Sequence, residues 1–343
     1  MMSKLAVVIL AAGKGTRMNS KTQKILHDVG GRPMVAHVFE SAASVADLPP
    51  LLVVGLGEDG VQRLFGEQAW YVTQPEQLGT GHAALMAKPL LAGKAEQVIV
   101  TYADMPLLRP QTLHNLAQAQ AKEGVILSML SVMGDPDSAF GRVVRDGDGK
   151  VIEIVEVAEA RQRPNTAELL AIRELNAGVY CFEAGWLWEQ LPFLPIRQAR
   201  SGQEFYLTDM VGRAVEQGKS VEAIVVEDAD ECLGAGTREE MTAVEKAFRR
   251  RTNRHWLAMG VTLIDPETTY IDQTVIVGQD TVIWPNTYIQ GNSQIGEDCI
   301  LGPNTIIRNA QIGKGCHVEQ AVVENTILKD GTRVEPFTFL SQR

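Results

Sequence analysis

The segment Leu10-Ala11-Ala12-Gly13-Lys14-Gly15-Thr16-Arg17-Met18 follows directly on the apolar run Leu5 to Leu10, and its composition suits an anion. Small residues let the backbone approach a ligand, exposed amides cradle negative charge, and Lys14 and Arg17 add positive charge. Phosphate is the chemistry such a loop serves. No Gly-Lys-Ser/Thr follows four residues after a glycine, so this is not a Walker loop, and Met18 stands where the dinucleotide fingerprint has its third glycine. On the glycines alone, a plain turn is the alternative reading. Asp104, in Asp104-Met105-Pro106 at the end of another apolar run, reads on its own as the cap of a turn or helix. His27, His37, His82 and His114 lack metal-ligand spacing and read as structural or solvent-facing. Cys181, Cys232, Cys299 and Cys316 show no C-x-x-C pattern and read as packing residues.

These residues need a scaffold. From residue 5 to about 230 the chain alternates short apolar runs with helical patterns. Leu5 to Leu10, Leu51 to Val54, Gln97 to Tyr102 and Val125 to Ser131 read as strands, and Arg32 to Ala46, Gly79 to Ala92 and Pro110 to Lys122 as helices. Such alternation predicts an α/β fold with a mainly parallel sheet covered on both faces, its ligands lying beyond the carboxyl ends of the strands. Gly141 to Val157 and Asn176 to Phe182 look antiparallel. Arg238 to Met259 has helical spacing, and its basic run Arg249, Arg250, Arg251 and Arg254 reads as a solvated face.

Beyond that helix the period changes. Ile271, Val277, Ile283, Ile289, Ile295, Leu301 and Ile307 recur at every sixth position, with Val275, Thr281, Thr287, Ser293, Cys299 and Thr305 in a second, small-residue register. A period of six belongs to a hexapeptide parallel β-helix, here of about four coils. Composition agrees with a folded chain: 343 residues, 45% hydrophobic and 22% charged, with no stretch that reads as a membrane span. A net charge of -10 argues against nucleic acid as the main partner. The run Leu5 to Ala12 is too brief to span a bilayer, has no convincing cleavage site and reads as a buried first strand, and the few cysteines without paired spacing fit a reducing cytoplasm.

Several motifs, in order, carry a resemblance. Leu10 to Met18, Lys24-Ile25-Leu26-His27, Gln77-Leu78-Gly79-Thr80-Gly81-His82, Tyr102-Ala103-Asp104-Met105-Pro106, Phe140-Gly141-Arg142, Ile154-Val155-Glu156, Asn176-Ala177-Gly178 and Glu204 to Asp209 resemble the bacterial N-acetylglucosamine-1-phosphate uridylyltransferases. The resemblance covers essentially the whole chain. It implies a Rossmann-like nucleotidyltransferase domain (1–230), a connecting helix (231–260) and a short left-handed parallel β-helix (261–343), the handedness being an exception to the usual crossover rule. It implies an enzyme joining UTP and N-acetylglucosamine 1-phosphate to give UDP-N-acetylglucosamine and pyrophosphate. Leu10, Ala11, Ala12 and Gly13 would contact the nucleotide, and Gln74, Gly79 and Thr80 would read the uracil. Arg17 and Lys24 would stabilise the triphosphate and leaving group, while Tyr102, Gly141, Glu156 and Asn176 would line the nucleotide-sugar site. Asp104 would hold Mg2+. The β-helix would assemble a homotrimer. Acetyl transfer, the family's other activity, uses later coils and is not expected of a chain ending at Arg343.

This sequence departs from the family pattern at several positions. Gln23 stands in place of a proline before Lys24. Gly236 occupies the place of an asparagine that is the family's second magnesium ligand; Asp228, Asp230 or Glu231 are substitutes in sequence, or added water serves instead. Ala103 replaces a glycine, which would put a methyl near the substrate path, and Val157-Ala158 stands for a His-Lys pair. A nucleotidyltransferase for another sugar 1-phosphate, or a weakly catalytic nucleotide-sugar sensor or assembly subunit, are the alternative readings.

Overall fold

The computed structural model describes residues 4–57, 59–199 and 202–341. Two compact units divide the chain, one formed by Met1–His27 with Met34–Glu240 and the other by Asp28–Pro33 with Met241–Arg343.

The first unit is built on a nine-stranded mixed sheet. Its strands are β1 (Leu5–Leu10), β2 (Leu51–Gly55), β3 (Trp70–Gln74), β4 (Gln97–Tyr102), β5 (Val125–Met133), β6 (Arg142–Arg145), β7 (Val151–Val155), β8 (Glu174–Glu183) and β9 (Ser220–Val225). The spatial order is β9-β5-β8-β4-β1-β2-β3, with β6 pairing both β8 and β7. Parallel pairs join β4, β1, β2 and β3, and β9 to β5, while β8 runs antiparallel between β4 and β5. The uninterrupted apolar run of β1 follows from its place in the sheet. Leu5, Val7 and Ile9 enter one core and Ala6 and Val8 the other, so neither face meets water. Helices α1 (Met34–Ala43) and α3 (Pro110–Gln120) cover the first face. On the second face lie α2 (Gly79–Met86) and α4 (Asp209–Glu216).

In two helices proline explains why the element is shorter than its pattern predicts. The pattern from Gly79 to Ala92 breaks at Ala87 into α2 and a short turn, Lys88–Leu91. Pro89 explains this, since proline has no N–H and its ring clashes with the carbonyl four residues back. Likewise α1 begins at Met34 because Arg32 precedes Pro33 and is held extended.

In the second unit Asp28–Val29 and Arg32–Pro33 form a small hairpin. Gly30 (φ 55°) donates its N–H to Glu245 Oε2 at 2.9 Å, and a Cβ there would lie 2.1 Å from the Phe248 ring. Only glycine allows that approach. Helix α5 (Arg238–Ala258) carries the basic run, and Arg249 departs from the solvated face expected of it. It is buried, with its guanidinium 4.4 Å from the centre of the Tyr270 ring, which stacks on Tyr288. A cation on an aromatic face can be desolvated at low cost.

Residues 262–341 wind into three parallel sheets of five, five and four strands, consistent with the left-handed β-helix expected. That is nearly five coils instead of four, because pairing already begins at Thr262–Leu263. Ile289 pairs with Ile307, and Ile307 with Val323, so the five-residue steps shorten the later coils. Every aliphatic residue of the six-fold register from Ile271 to Ile307 is buried. The second register turns the corners, and its hydroxyls satisfy carbonyls there: Thr281 Oγ1 donates to Gly296 O at 2.9 Å and Ser293 Oγ to Gln290 O at 2.7 Å. Asp280, Asn286, Asp298, Asn304, Asn309 and Asn325 sit at φ between 45° and 60°, the left-handed turns that Asn and Asp tolerate. Cys299 and Cys316 are buried in the small register, as their packing role predicts.

Replacing Ile289 by alanine leaves a cavity in this column and should cost about 2–5 kcal/mol. The exposed Gln294→Ala should stay within about 0.5 kcal/mol. Calorimetric unfolding of both variants checks the contrast.

Candidate functional site

Strands β1 and β4 end side by side, with Leu10 opposite Tyr102. Beyond them Ala11 N–H donates to Val53 O at 2.8 Å and Ala103 N–H to Leu10 O at 3.1 Å, which pins the start of the glycine loop and the start of the Asp104 turn together. Gly15 has φ 59°, and a Cβ there would stand 2.5 Å from Lys24 Cβ. The absent side chain lets Lys24 pass close under the loop, and its Nζ forms an ion pair with Asp104 Oδ2. Both side chains are more than four-fifths buried, at 15% and 19% exposure, so neither is a surface charge. Lys14 is exposed and lines neither cavity described below.

Two cavities open here. The first, of about 280 Å³, is lined by Leu10, Ala11, Ala12, Gly13, Lys24, Gln74, Gly79, Thr80, Tyr102 and Asp104 among others. The second, of about 520 Å³, is lined by Arg17, Tyr102, Asp104, Gly141, Glu156 and Asn176 among others. They meet at Tyr102 and Asp104. Ala103 lines neither cavity; its methyl is buried in the core, so it does not narrow them.

The first cavity has a rigid amide edge. Gln74 is buried, donates from Nε2 to Gly79 O at 3.2 Å and lies 3.1 Å from His82 Nδ1, which gives that histidine a structural partner. A Cβ on Gly79 (φ 91°) would stand 2.6 Å from Phe205 O, and Thr80 Oγ1 accepts from Leu207 N–H at 3.0 Å. Gln77 Nε2 donates to Ala12 O and ties the two loops. Fixed amides beside small residues recognise the edge of a flat ring.

The second cavity depends on an irregularity in β8. Its pairing with β5 shifts register between Asn176 and Tyr180. Gly178 sits there at φ 80°, where a Cβ would meet the Tyr102 ring at 2.6 Å. Asn176 Oδ1 accepts from Gly178 N–H and from the Tyr180 hydroxyl, each at 3.0 Å, while its own N–H donates to Gly141 O at 2.8 Å. Arg142 is fully buried and donates to Phe140 O, Pro136 O and Ser138 O, which shapes the loop above the cavity. Among the described residues lining this cavity, Arg17 is the sole cation.

Protonation follows burial. The Glu156 carboxyl is raised, first by desolvation and then by Glu159 and Asp209. The Tyr102 phenol is raised by desolvation, with Asp104 and Glu156 adding to it. Cys232, also on the wall, is pushed up to about 12 by burial and by Glu231 and Asp228. A thiol so disposed is no nucleophile at neutral pH.

Hard carboxylate oxygens on this wall suit a magnesium-like cation. Asp104 faces it, and so does Glu240, a residue absent from the sequence expectations above. The proposed substitutes for the family asparagine face elsewhere. Asp228 pairs with Arg109, Glu231 is buried and accepts from Arg109 N–H at 3.0 Å and Thr112 Oγ1 at 2.6 Å, and neither these nor Asp230 line the cavity. Tyr206 and Glu204 also line the first cavity, inside a motif that the resemblance had singled out.

Residues 7–170 match the MobA-like NTP transferase domain, and residues 274–309 match the bacterial transferase hexapeptide, six repeats. The chain is 39% identical to the bifunctional protein GlmU of Exiguobacterium sibiricum over 336 residues, spanning 98% of this chain and 73% of that protein. For the bifunctional protein GlmU of Pelotomaculum thermopropionicum the identity is 44%, over 98% of this chain and 72% of the relative. A solved CMP:2-keto-3-deoxy-manno-octonic acid synthetase, complexed with CTP, superposes with a TM-score of 0.54 at 20% identity, covering 73% of this chain and all of that one. That likeness establishes the fold of the shared region.

Because folding raises the Glu156 value, the folded chain holds that proton more tightly than the unfolded chain. Its stabilising contribution is complete below the ordinary glutamate value of 4.5 and is lost as pH rises through the raised one. Glu156→Gln should therefore gain stability relative to the parent as pH increases, read as a widening difference in Tm. Gly178→Ala should displace Tyr102 and destabilise the chain by about 1–3 kcal/mol, with nucleotide-sugar affinity falling in a calorimetric titration.

Proposed function

The chain belongs to the family of bifunctional GlmU proteins, and on that premise we propose that it is a uridylyltransferase joining UTP and N-acetylglucosamine 1-phosphate to give UDP-N-acetylglucosamine and pyrophosphate. The observation that carries this reading is the meeting of an amide-edged cavity and a wider one at Tyr102 and Asp104, with Asp104 ion-paired to Lys24 of the first cavity.

An oxygen of the sugar phosphate attacks the α-phosphorus of UTP, the bond from that phosphorus to the bridging oxygen breaks, and pyrophosphate leaves. The attacking oxygen is already anionic, so no protein base or nucleophile is required. What the protein supplies is position and charge. Gln74, Gly79 and Thr80 hold the uracil in the first cavity, while Leu10 to Gly13 present backbone to the phosphates. Lys24 and Arg17 supply positive charge toward the triphosphate and the pyrophosphate leaving group. In the second cavity Tyr102, Gly141, Glu156 and Asn176 seat the sugar. Tyr102 stays protonated and donates, and the Glu156 carboxyl, raised by desolvation, faces the same cavity. A divalent metal, which the nucleotidyltransferase family uses, would neutralise phosphate charge; magnesium suits these oxygen donors and Asp104 would hold it.

The hexapeptide repeats fit oligomerisation, and a homotrimer through the β-helix is the assembly proposed. Ile276 and Ile327 lie exposed on one β-helix sheet and offer apolar contact. The net charge of -10 argues against a nucleic-acid partner, while Lys24 and Arg17 supply local positive charge for small anionic substrates. No described helix is long and apolar enough to cross a membrane, and we place the enzyme in the cytoplasm without a membrane partner.

Pyrophosphate release should be confined to UTP with N-acetylglucosamine 1-phosphate in a panel containing dTTP, CTP, ATP, glucose 1-phosphate and galactose 1-phosphate. Turnover only with another pair contradicts the substrate assignment and keeps the reaction class. Asp104→Ala and Lys24→Ala should each lower kcat by about 100-fold or more while circular dichroism shows the fold retained; unchanged turnover removes the residue from the mechanism.

A further inference from the structure

Gly236 forms part of the wall of the second cavity, and no side chain issues from it. A Cβ built there would stand 2.6 Å from Arg17 Nη2 and 2.9 Å from Glu240 Oε2. The space a residue-236 side chain would take is thus filled by a guanidinium and a carboxylate arriving from elsewhere. Glu240 arrives there because of the helix it begins. Thr237 Oγ1 accepts from Glu240 N–H at 3.1 Å, and Glu240 Oε2 accepts from Gly236 N–H at 2.7 Å. This is a Thr-x-x-Glu capping box whose return bond reaches one residue further back than usual. Capping engages one carboxylate oxygen. Glu240 remains exposed on a wall that Asp104 also faces.

We infer that Glu240 is the second carboxylate ligand of the divalent cation, replacing through space the donor that Gly236 cannot provide. This rests on the transfer reading above. Four observations converge on it. The glycine offers no side-chain oxygen, the neighbouring acids Asp228 and Glu231 are bound to Arg109 and Thr112, the Glu240 carboxylate lies against the vacated volume, and the capping box fixes it there. Magnesium accepts one or two carboxylates with substrate phosphates and water completing its shell. A carboxylate also brings a full negative charge where an amide would bring only a dipole, so this chain should hold its cation more tightly than one relying on an amide. Arg17, against the same point, offsets part of that charge.

The test separates capping from ligation. Glutamine keeps the carbonyl oxygen that accepts from Gly236 N–H, yet it loses the charge. Mn2+ would be titrated into the full-length chain by electron paramagnetic resonance, with UDP-N-acetylglucosamine present, alongside Tm. Glu240→Gln should weaken Mn2+ at least tenfold while Tm stays within about 2 °C of the parent. Glu240→Ala should weaken Mn2+ and also lower Tm. Adding Gly236→Asn to Glu240→Gln should recover part of the affinity. Parental Mn2+ affinity in Glu240→Gln, with Tm lowered only in Glu240→Ala, overturns the inference and leaves Glu240 a helix cap. In that event the transfer reading still stands if Asp104→Asn weakens Mn2+ and the parent turns over.

Discussion

Six residues of β1 pair in parallel with six of β4, from Leu5 opposite Gln97 to Leu10 opposite Tyr102. The glycine loop and the Asp104 turn are both hung from that ladder. Because both strands end at the same level, the glycine loop and the Asp104 turn leave the sheet as neighbours, tied by the bond from Ala103 to the Leu10 carbonyl. A slip of one residue would send the apolar sets of β1 into the wrong cores, and burial on both faces forbids it. The register that packs the core is therefore also the register that sets Asp104 against Lys24.

That pair is expensive to hold. Two charges largely withdrawn from water attract one another strongly, but desolvation offsets most of the gain, so a buried ion pair is weak as a source of stability. On the proposed transfer reaction, its value lies in what it presents to a triphosphate. An ammonium and a carboxylate fixed before the substrate arrives need not reorganise as charge develops on the transferring phosphoryl group. The rest of the wall keeps out competing chemistry. Cys232 is a thiol, Tyr102 a phenol, and the hydroxyl of Thr80 is engaged with the Leu207 amide. Direct transfer between two bound anions is what such a surface can perform.

Much of this was legible in the sequence, and for identifiable reasons. A six-residue period over Ile271 to Ile307 has one structural meaning, and the doubly buried β1 is visible as an unbroken apolar run. Ordered motifs brought the cavity residues to notice in advance, from Leu10 through Asn176. What escaped notice was governed by contacts distant in sequence or by local caps. Arg249 seemed a surface cation because nothing in a linear reading shows Tyr270 beneath it. Ala103 seemed an obstruction until its burial in the core was known. The single helix expected from Gly79 to Ala92 ignored the clash that Pro89 imposes. For Glu240, Thr237-Arg238-Glu239-Glu240 is a readable capping signal. The signal names the cap, while the cavity on which it borders appears only in three dimensions.

The central claim is a single in-line displacement with no covalent enzyme intermediate. The most direct measurement is the stereochemical course at the α-phosphorus, using UTP carrying a chiral α-phosphorothioate and analysing the UDP-N-acetylglucosamine product by phosphorus NMR. One displacement predicts inversion of configuration. Retention would require two successive displacements through a uridylylated side chain, and would contradict the account of a site that acts by position and charge alone.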